Sequence, residues 1–274
     1  MSNTSGTLYI VATPIGNLAD SSPRSIEALR AADIVACEDT RTSRTLLAHH
    51  GIDARTVALH AHNEREAGEK LLRALREGQS VALVSDAGTP GVSDPGALLV
   101  AAAHREGLRV VPLPGPNAAI TAWSASGFAS DRFLFAGFLP AKGKKALDAI
   151  DVPWPVILYE APHRVLATVA ALLERFGPAR ELVMAREISK KFEEIARLPL
   201  GEAPAWLAAG PHRQQGEFVL VLGPGEERRN PGDAERVLGL LLETLPAAEA
   251  AKLAAKITGA PRKELYAAAI KRAK

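Results

Sequence analysis

Three times in its first 117 residues the chain passes from a short strand-like stretch through a glycine- and proline-rich loop into a helix-like segment. The densest loop is Leu83–Gly96, which follows the apolar run Val81–Val84 and precedes the apolar segment Ala97–His104. Within it Gly88, Gly91 and Gly96 open backbone conformations closed to other residues, while Pro90 and Pro95 fix their own φ. A second loop, Thr13-Pro14-Ile15-Gly16-Asn17, follows the β-branched and aromatic run Thr7–Ala12. Asp20–Ser22 supplies a helix cap after it, with Pro23 in the first turn. The third, Pro114-Gly115-Pro116-Asn117, joins the strand-like Arg109–Leu113 to the small-residue helix Ala118–Ser126. This repeated unit predicts a parallel α/β sheet, in which such loops gather along the one edge where ligands bind.

The loops also limit the ligand. No Lys-Ser/Thr follows the glycines, the Leu83–Gly96 loop carries no positive charge, and none of the three reads GxGxxG. A triphosphate loop and a standard dinucleotide site are therefore disfavoured. Asp86 and Asp94 supply acceptors that suit the hydroxyls and ammonium of a nucleoside-like cofactor. A tight structural turn, with Asp86 in an Asx turn, accounts for the same residues.

The strand–helix alternation continues through Ser25–Ala31, Ile34–Ala36, Thr42–His49, Val57–Leu59 and Glu64–Glu77. From Phe133 the rhythm changes. Strands are predicted at Phe133–Phe138, Val156–Tyr159, Leu182–Arg186 and Phe218–Leu222, with an extended stretch at Phe192–Leu198 and helices at Lys144–Ile150, Arg164–Phe176 and Ala203–Ala209. A polar linker, Glu226–Gly232, precedes helical patterns that run to the end. The resulting division is 1–117, 118–226 and 233–274. At 274 residues and 47% hydrophobic the chain has enough apolar material for such cores. Cys37 is its only cysteine, so no disulfide forms within the chain, which fits a reducing cytoplasm. No segment approaches the ~20 apolar residues of a membrane span, so a cytoplasmic chain without a membrane partner is expected.

Charge is unevenly placed. Residues 247–274 carry Lys252, Lys256, Arg262, Lys263, Lys271, Arg272 and Lys274 against Glu249 and Glu264, a net of +5, whereas the whole chain is +2 and residues 1–246 are therefore −3. A basic tail on a slightly acidic body is an electrostatic footprint for a polyanion. In that tail Ala250, Leu253, Ala254 and Ile257 fall on one helical face, Thr258-Gly259-Ala260-Pro261 stops the helix, and Leu265, Ala269 and Ile270 face inward in the next. The pair reads as a helix-turn-helix unit or as a plain helical hairpin with solvated lysines.

Five motifs in order carry a resemblance: Pro14-Ile15-Gly16-Asn17-Leu18, Cys37-Glu38-Asp39-Thr40-Arg41, Ser85–Pro90, Ser93-Asp94-Pro95-Gly96 and Pro114–Ala118. Phe133–Pro140, Tyr159–Arg164 and Glu217–Gly223 extend it. Together they resemble the ribosomal RNA small subunit methyltransferase I family of the tetrapyrrole methylase superfamily (class III methyltransferases), over residues 7–225 with a tail of family type beyond. The resemblance implies two α/β domains with a small C-terminal helical extension, S-adenosylmethionine as cofactor, and a homodimer. It implies 2′-O-methylation of a cytidine ribose in small-subunit ribosomal RNA, free or in the assembled 30S subunit. Pro14 and Gly16 would border the cofactor cleft; Ser85, Asp86, Ala87 and Gly88 would approach the methionine and ribose parts, with Ser93 at the far side of the loop. Asn117 and Ala118 would follow the third strand, and Tyr159 and Glu160 would close the site from the second domain.

A hydroxyl nucleophile benefits from a base, or from a cation that stabilises developing oxyanion character. Candidates cluster at Glu38-Asp39-Thr40-Arg41 with His60, His62, Asn63 and Glu64, and at Glu160, His163 and Arg164. Asp39 and Arg41 are the expected substrate-handling pair, with Glu160 beside them. Helix capping explains one of Glu38 and Asp39 equally well, and Arg41 is placed to pair with either or with an RNA phosphate. His60 and His62 lack an evident third ligand, so no metal is expected. Two alternatives remain: a C-methyltransferase for a tetrapyrrole precursor, and a non-catalytic RNA-binding protein that kept the fold.

Overall fold

The computed structural model describes residues 5–140, 144–210, 212–225 and 231–272. The chain separates into two compact units, Met1–Pro224 and Gly225–Lys274. The first contains two five-stranded sheets.

The first sheet is built from β1 (Thr7–Val11), β2 (Ile34–Cys37), β3 (Arg55–Ala58), β4 (Val81–Val84) and β5 (Arg109–Leu113), in the order β3-β2-β4-β1-β5 with every pair parallel. The central strands β2 and β4 are buried along their whole length, as strands covered on both faces must be. One face packs Leu8, Ile34, Leu83 and Leu99 with the helices α3 (Glu64–Arg76) and α4 (Ala97–Arg105). The other packs Val11, Val35 and Val84 with α1 (Pro23–Ala31) and α2 (Thr40–His49). α1 starts as its sequence predicts, with Ser22 accepting from Ser25 N and Pro23 at the first position. β3 begins two residues earlier than its apolar pattern suggests, since Arg55 pairs with Ile34 at the sheet edge.

The second sheet orders β6 (Leu134–Phe138), β7 (Val156–Glu160), β10 (Phe218–Leu222), β8 (Glu181–Arg186) and β9 (Glu194–Pro199) in space. Only β6 and β7 run parallel; the other pairs are antiparallel. One face is filled by Leu158, Leu182, Leu220 and the helices α7 (Val165–Phe176) and α8 (Ala203–Ala208), with α6 (Lys144–Ala149) at its margin. The opposite face packs Ile157, Val183 and Val221 against Ala119 and Ala122 of α5 (Ala118–Ser126), so the helix after β5 joins the second sheet.

The second unit consists of α9 (Pro231–Leu242), α10 (Ala247–Thr258) and α11 (Arg262–Arg272). Its core is Ala234, Leu238, Ala250, Ala251, Ala254, Leu265 and Ala269. Leu253 and Ile257, expected inside, are 41% and 61% exposed, and Ile270 also faces outward. The seam is lined by alanines, which carry little hydrophobic signal but let helices approach closely. Its centre therefore lies to one side of the stripe that the larger residues mark. Gly259 ends α10 in the left-handed conformation, as the stop signal predicts. Of the expected linker, Pro231 and Gly232 open α9, while 226–230 and Lys274 lie outside the described residues.

Leu158, fully buried at the middle of the second sheet, tests this layer. Truncation to Ala should destabilise the protein by about 2–5 kcal/mol, as for other buried leucines, read as an earlier urea midpoint at unchanged slope. An unchanged midpoint would show that this layer does not hold the fold.

Candidate functional site

The sheet order places the carboxyl ends of β4, β1 and β5 side by side, and backbone hydrogen bonds join the loops that leave them. Thr13 N donates to Gly88 O (2.8 Å) and Gly88 N to Thr13 O (3.0 Å), a two-way bridge between the β1 and β4 exits. Gly88 has φ +88°, which lets both its backbone groups face Thr13. The Thr13 hydroxyl donates to Ser85 O (3.0 Å) and the Ser85 hydroxyl to Gly88 O (2.9 Å). The third loop is tied in by Thr89 Oγ1 donating to Pro116 O (3.0 Å) and by Asn117 Nδ2 donating to Thr89 Oγ1 (3.3 Å). Asn117 Oδ1 also caps α5 by accepting from Ile120 N (3.1 Å).

These loops form one wall of a cavity of about 380 Å³, whose other wall comes from the second sheet. Of the residues singled out by sequence, Asp86, Ala87, Gly88, Ser93, Ala118, Tyr159 and Glu160 line it. Pro14, Gly16, Ser85 and Asn117 are outside the lining. Ser85 and Asn117 hold the loops together, and Ile15 stands at the wall between Pro14 and Gly16. Gly16 leaves room for the second sheet: a Cβ there would meet Lys190 Cγ at 2.3 Å. The Tyr159 hydroxyl accepts from Ala119 N (3.3 Å), and Phe135 and Phe138 set their rings edge-on against it. Burial pushes that phenol above its ordinary range.

Asp39 and Arg41 do not line the cavity. Asp39 caps α2, its Oδ1 accepting from Arg41 N at 2.8 Å, which settles which acidic residue of the pair does the capping. The Arg41 guanidinium folds back on the same carboxylate (Nη2–Oδ2 2.9 Å) while its side chain stays 87% exposed. That pairing holds Asp39 below the ordinary carboxylate range. The link to the cavity is Asp39 N, which donates to Asp86 Oδ1 at 3.0 Å, so Asp86 stitches α2 to the loop instead of closing an Asx turn. Glu160 is 2% exposed, and its carboxylate accepts from Ala161 N (2.8 Å) and Thr168 Oγ1 and pairs with Arg164 Nε (3.3 Å). All these polar partners belong to residues 161–168, so this geometry ties Glu160 to the start of α7 and positions the β7 end. His163 is exposed.

The cavity's charge is mostly acidic. Asp94, half-buried on the wall, is pushed up to about 6 by burial and then by the negative field of Glu38 and Asp86, against a lowering contact with the Ser85 side chain. Glu38 is itself raised, by burial and by Asp86. From the second sheet come Lys190 and Glu217. Burial disfavours the Lys190 charge, but its Nζ donates to Glu187 Oε1 and Glu217 Oε2 (2.8 Å each), which hold its pKa above the ordinary value. Sequence reasoning missed Lys190 and Ile188 because no motif marks them, and it met Glu217 only as the first residue of the Glu217–Gly223 stretch; the antiparallel pairing of β8 and β10 brings the three together. Glu64, grouped by sequence with His60 and His62 as a candidate, stands outside the cavity lining; its Oε1 accepts from Gly96 N (2.9 Å) and Leu98 N (3.0 Å) and so caps α4 from α3.

Comparison with known proteins bears on this arrangement. The tetrapyrrole (corrin/porphyrin) methylase family matches residues 7–204, and the RsmI C-terminal HTH domain matches residues 229–273. The chain is 49% identical to the ribosomal RNA small subunit methyltransferase I of Escherichia coli O157:H7, over 96% of this chain and 94% of that one. It is 50% identical to the protein of the same name from Pseudomonas aeruginosa, over 97% and 98%. Among solved structures, uroporphyrin-III C-methyltransferase from Thermus thermophilus complexed with S-adenosylhomocysteine superposes with a TM-score of 0.56 at 21% identity, covering 80% of this chain and 97% of that chain.

Asp94 yields a stability test with a definite sign. Its pKa rises from 3.8 to about 6 on folding, so below 3.8 it is protonated in both states and contributes nothing. Between those values the folded state alone holds the proton, and above about 6 the fold bears the whole cost of the buried charge. Asp94→Asn should therefore raise the thermal midpoint at pH 7.5, with the gain growing from pH 4 to 6 and level above. Equal melting of parent and variant throughout would refute this environment for Asp94.

Proposed function

Because the chain belongs to the ribosomal RNA small subunit methyltransferase I family, within the tetrapyrrole methylases, we propose that it methylates the 2′-hydroxyl of a cytidine ribose in small-subunit ribosomal RNA with S-adenosylmethionine. The observation that carries this reading is near-half identity running through the body and the C-terminal domain alike. The C-methyl transfer named for the Thermus protein has no such support, since 21% identity shows a shared fold alone.

The cavity suits that cofactor chemically. Asp86, Asp94, Glu160 and Glu217 are carboxylates on an otherwise largely apolar lining, and Lys190, the lysine on the wall, is already bound to two glutamates. Such a site favours a cation carrying hydroxyls and an ammonium over a polyphosphate. S-adenosylmethionine, when bound, supplies an activated methyl electrophile on its sulfonium. Asp86, Ala87, Gly88, Ser93, Ala118 and Tyr159 are the residues assigned to hold it, with Pro14, Gly16, Ser85 and Asn117 fixing their loops. The chain's main contribution is then orientation and exclusion of water, with the nucleophile held in line. Glu160 keeps the β7 end in place for Tyr159.

Asp39 and Arg41 are assigned to the RNA side, where the exposed guanidinium offers a fork to a phosphate once it releases Asp39. In this reading residues 1–117 carry the cofactor loops, 118–226 close the cleft, and 233–274 contact RNA. Lys252, Lys256, Arg262, Lys263, Lys271 and Arg272 would meet backbone phosphates there, an interaction that weakens steeply with salt. A cytoplasmic homodimer acting on ribosomal RNA, free or in the 30S subunit, completes the reading. No helix of the described residues is long and apolar enough to cross a membrane.

The test is transfer of labelled methyl to small ribosomal subunits from cells lacking the enzyme, followed by digestion to nucleosides. Label should appear in 2′-O-methylcytidine and fall at least about tenfold in Asp86→Ala, the scale of one lost charge-assisted hydrogen bond. Label in another nucleoside would overturn the assigned atom. No label in RNA, with S-adenosylhomocysteine still bound, would move the acceptor to a small molecule.

A further inference from the structure

The family reading leaves open which group receives the proton when a hydroxyl is methylated. We propose that Asp94 is that group, the general base of the cleft, an assignment that rests on the function proposed above.

The other acids of the cleft are already engaged or lie outside it. Glu160 is committed to Ala161 N, Thr168 and Arg164 within its own domain. Asp86 accepts from Asp39 N, and Glu217 holds Lys190. Asp39 caps its helix and pairs with Arg41, outside the cavity lining. Glu38 and His60 are also outside the lining. Asp94 lines the cavity, and among the described residues no lysine, arginine or histidine pairs with it.

The surrounding chain also relieves Asp94 of structural work. An aspartate two residues before the glycine that starts α4 would ordinarily be suspected of capping that helix. Glu64 fills that role from α3, accepting from both Gly96 N and Leu98 N. Ser93, immediately before Asp94, holds φ +64°, a left-handed conformation rare for a residue with a side chain. The loop keeps that conformation while Ser93 and Asp94 both stand on the cavity wall. Opposite them, the Tyr159 ring and the Lys190–Glu217 pair close the space from the second sheet. The charged and titratable groups around Asp94 are thus Glu38 and Asp86 on its own side and Tyr159, Glu160, Lys190 and Glu217 across the cavity.

The chemistry follows. The hydroxyl oxygen forms its bond to the methyl carbon as the methyl–sulfur bond breaks, and the electron pair leaves with sulfur to give a neutral thioether. The hydroxyl proton passes to an Asp94 carboxylate oxygen and from there to solvent, so mass and charge balance. A carboxylate titrating near 6 is ionised at neutral pH yet more basic than an ordinary aspartate, which is the compromise a general base requires. A negative group on the cavity wall also favours a cationic ligand over a neutral product.

Single-turnover methyl transfer to unmodified small subunits, from pH 5 to 9, tests the assignment, alongside calorimetric binding of S-adenosylhomocysteine. The parent rate should rise about tenfold per pH unit below about 6 and then level off. Asp94→Asn should lose about 10²–10⁴-fold, the range of general-base catalysis, together with that pH dependence. It should still bind S-adenosylhomocysteine within about threefold of the parent, and Asp94→Glu should recover part of the rate. An Asn variant within a few-fold of the parent rate would overturn the proposal. So would loss of S-adenosylhomocysteine binding in step with rate, which would make Asp94 a cofactor ligand. If the parent labels no RNA while binding S-adenosylhomocysteine, the functional reading fails first and the base assignment with it.

Discussion

The two-way bridge between Thr13 and Gly88 is the contact on which the rest of the cleft depends. Parallel strands carry no hairpin to fix their exits, so the loops after β1 and β4 would otherwise be free to splay. Here the buried Thr13 side chain and the Ser85 hydroxyl add two further bonds to the same junction. The β5 exit joins through Thr89 and Asn117. A row of strand ends thereby becomes a single rigid wall. Because the bonds among Thr13, Ser85 and Gly88 are buried, breaking any one of them strands a polar group that water does not reach, which makes that junction cooperative.

The electrostatics of the wall follow from that rigidity. Glu38 and Asp94 are held near Asp86, and both have raised pKa values, from burial first and then from the neighbouring negative charge. Lys190 does not relieve them, since Glu187 and Glu217 hold its ammonium. The body of the chain is slightly acidic and the final segment strongly basic. A polyanion and a cation are thus drawn to different parts of the same chain, which suits a reaction joining the two.

Much of the fold was legible because strong local signals agreed. β4, β5 and α5 fall on the residues that their patterns predict, and the caps at Ser22 and Asn117 are where short polar side chains meet apolar periodicity. The division of labour inside the loops was not. Which way Ser85 turns in an irregular segment has no period to read, so its bond to Gly88 O is visible only in the structure. The sequence offers capping to one of Glu38 and Asp39 without saying which, and it gives no sign that Glu160 is a buried anchor. Burial of Glu160 comes from Thr168 and Arg164 reaching back from the start of α7. Lys190 and Glu217 lie 27 residues apart, one in the loop after β8 and one just before β10, and meet only in the tertiary fold. In the tail, alanine seams hid the true inward face behind Leu253 and Ile257.

The cap on α4 has a consequence for how such a site changes over time. Glu64 holds the helix start from a neighbouring helix, so the letter written at position 94 is uncoupled from whether α4 begins where it does. A lineage, or a protein engineer, exploring new methyl acceptors has in position 94 a place where reactivity is adjustable while the scaffold stays put. Position 64 offers no such freedom. Outside the cavity and without chemistry of its own, it is the one that would have to stay fixed for the other to wander.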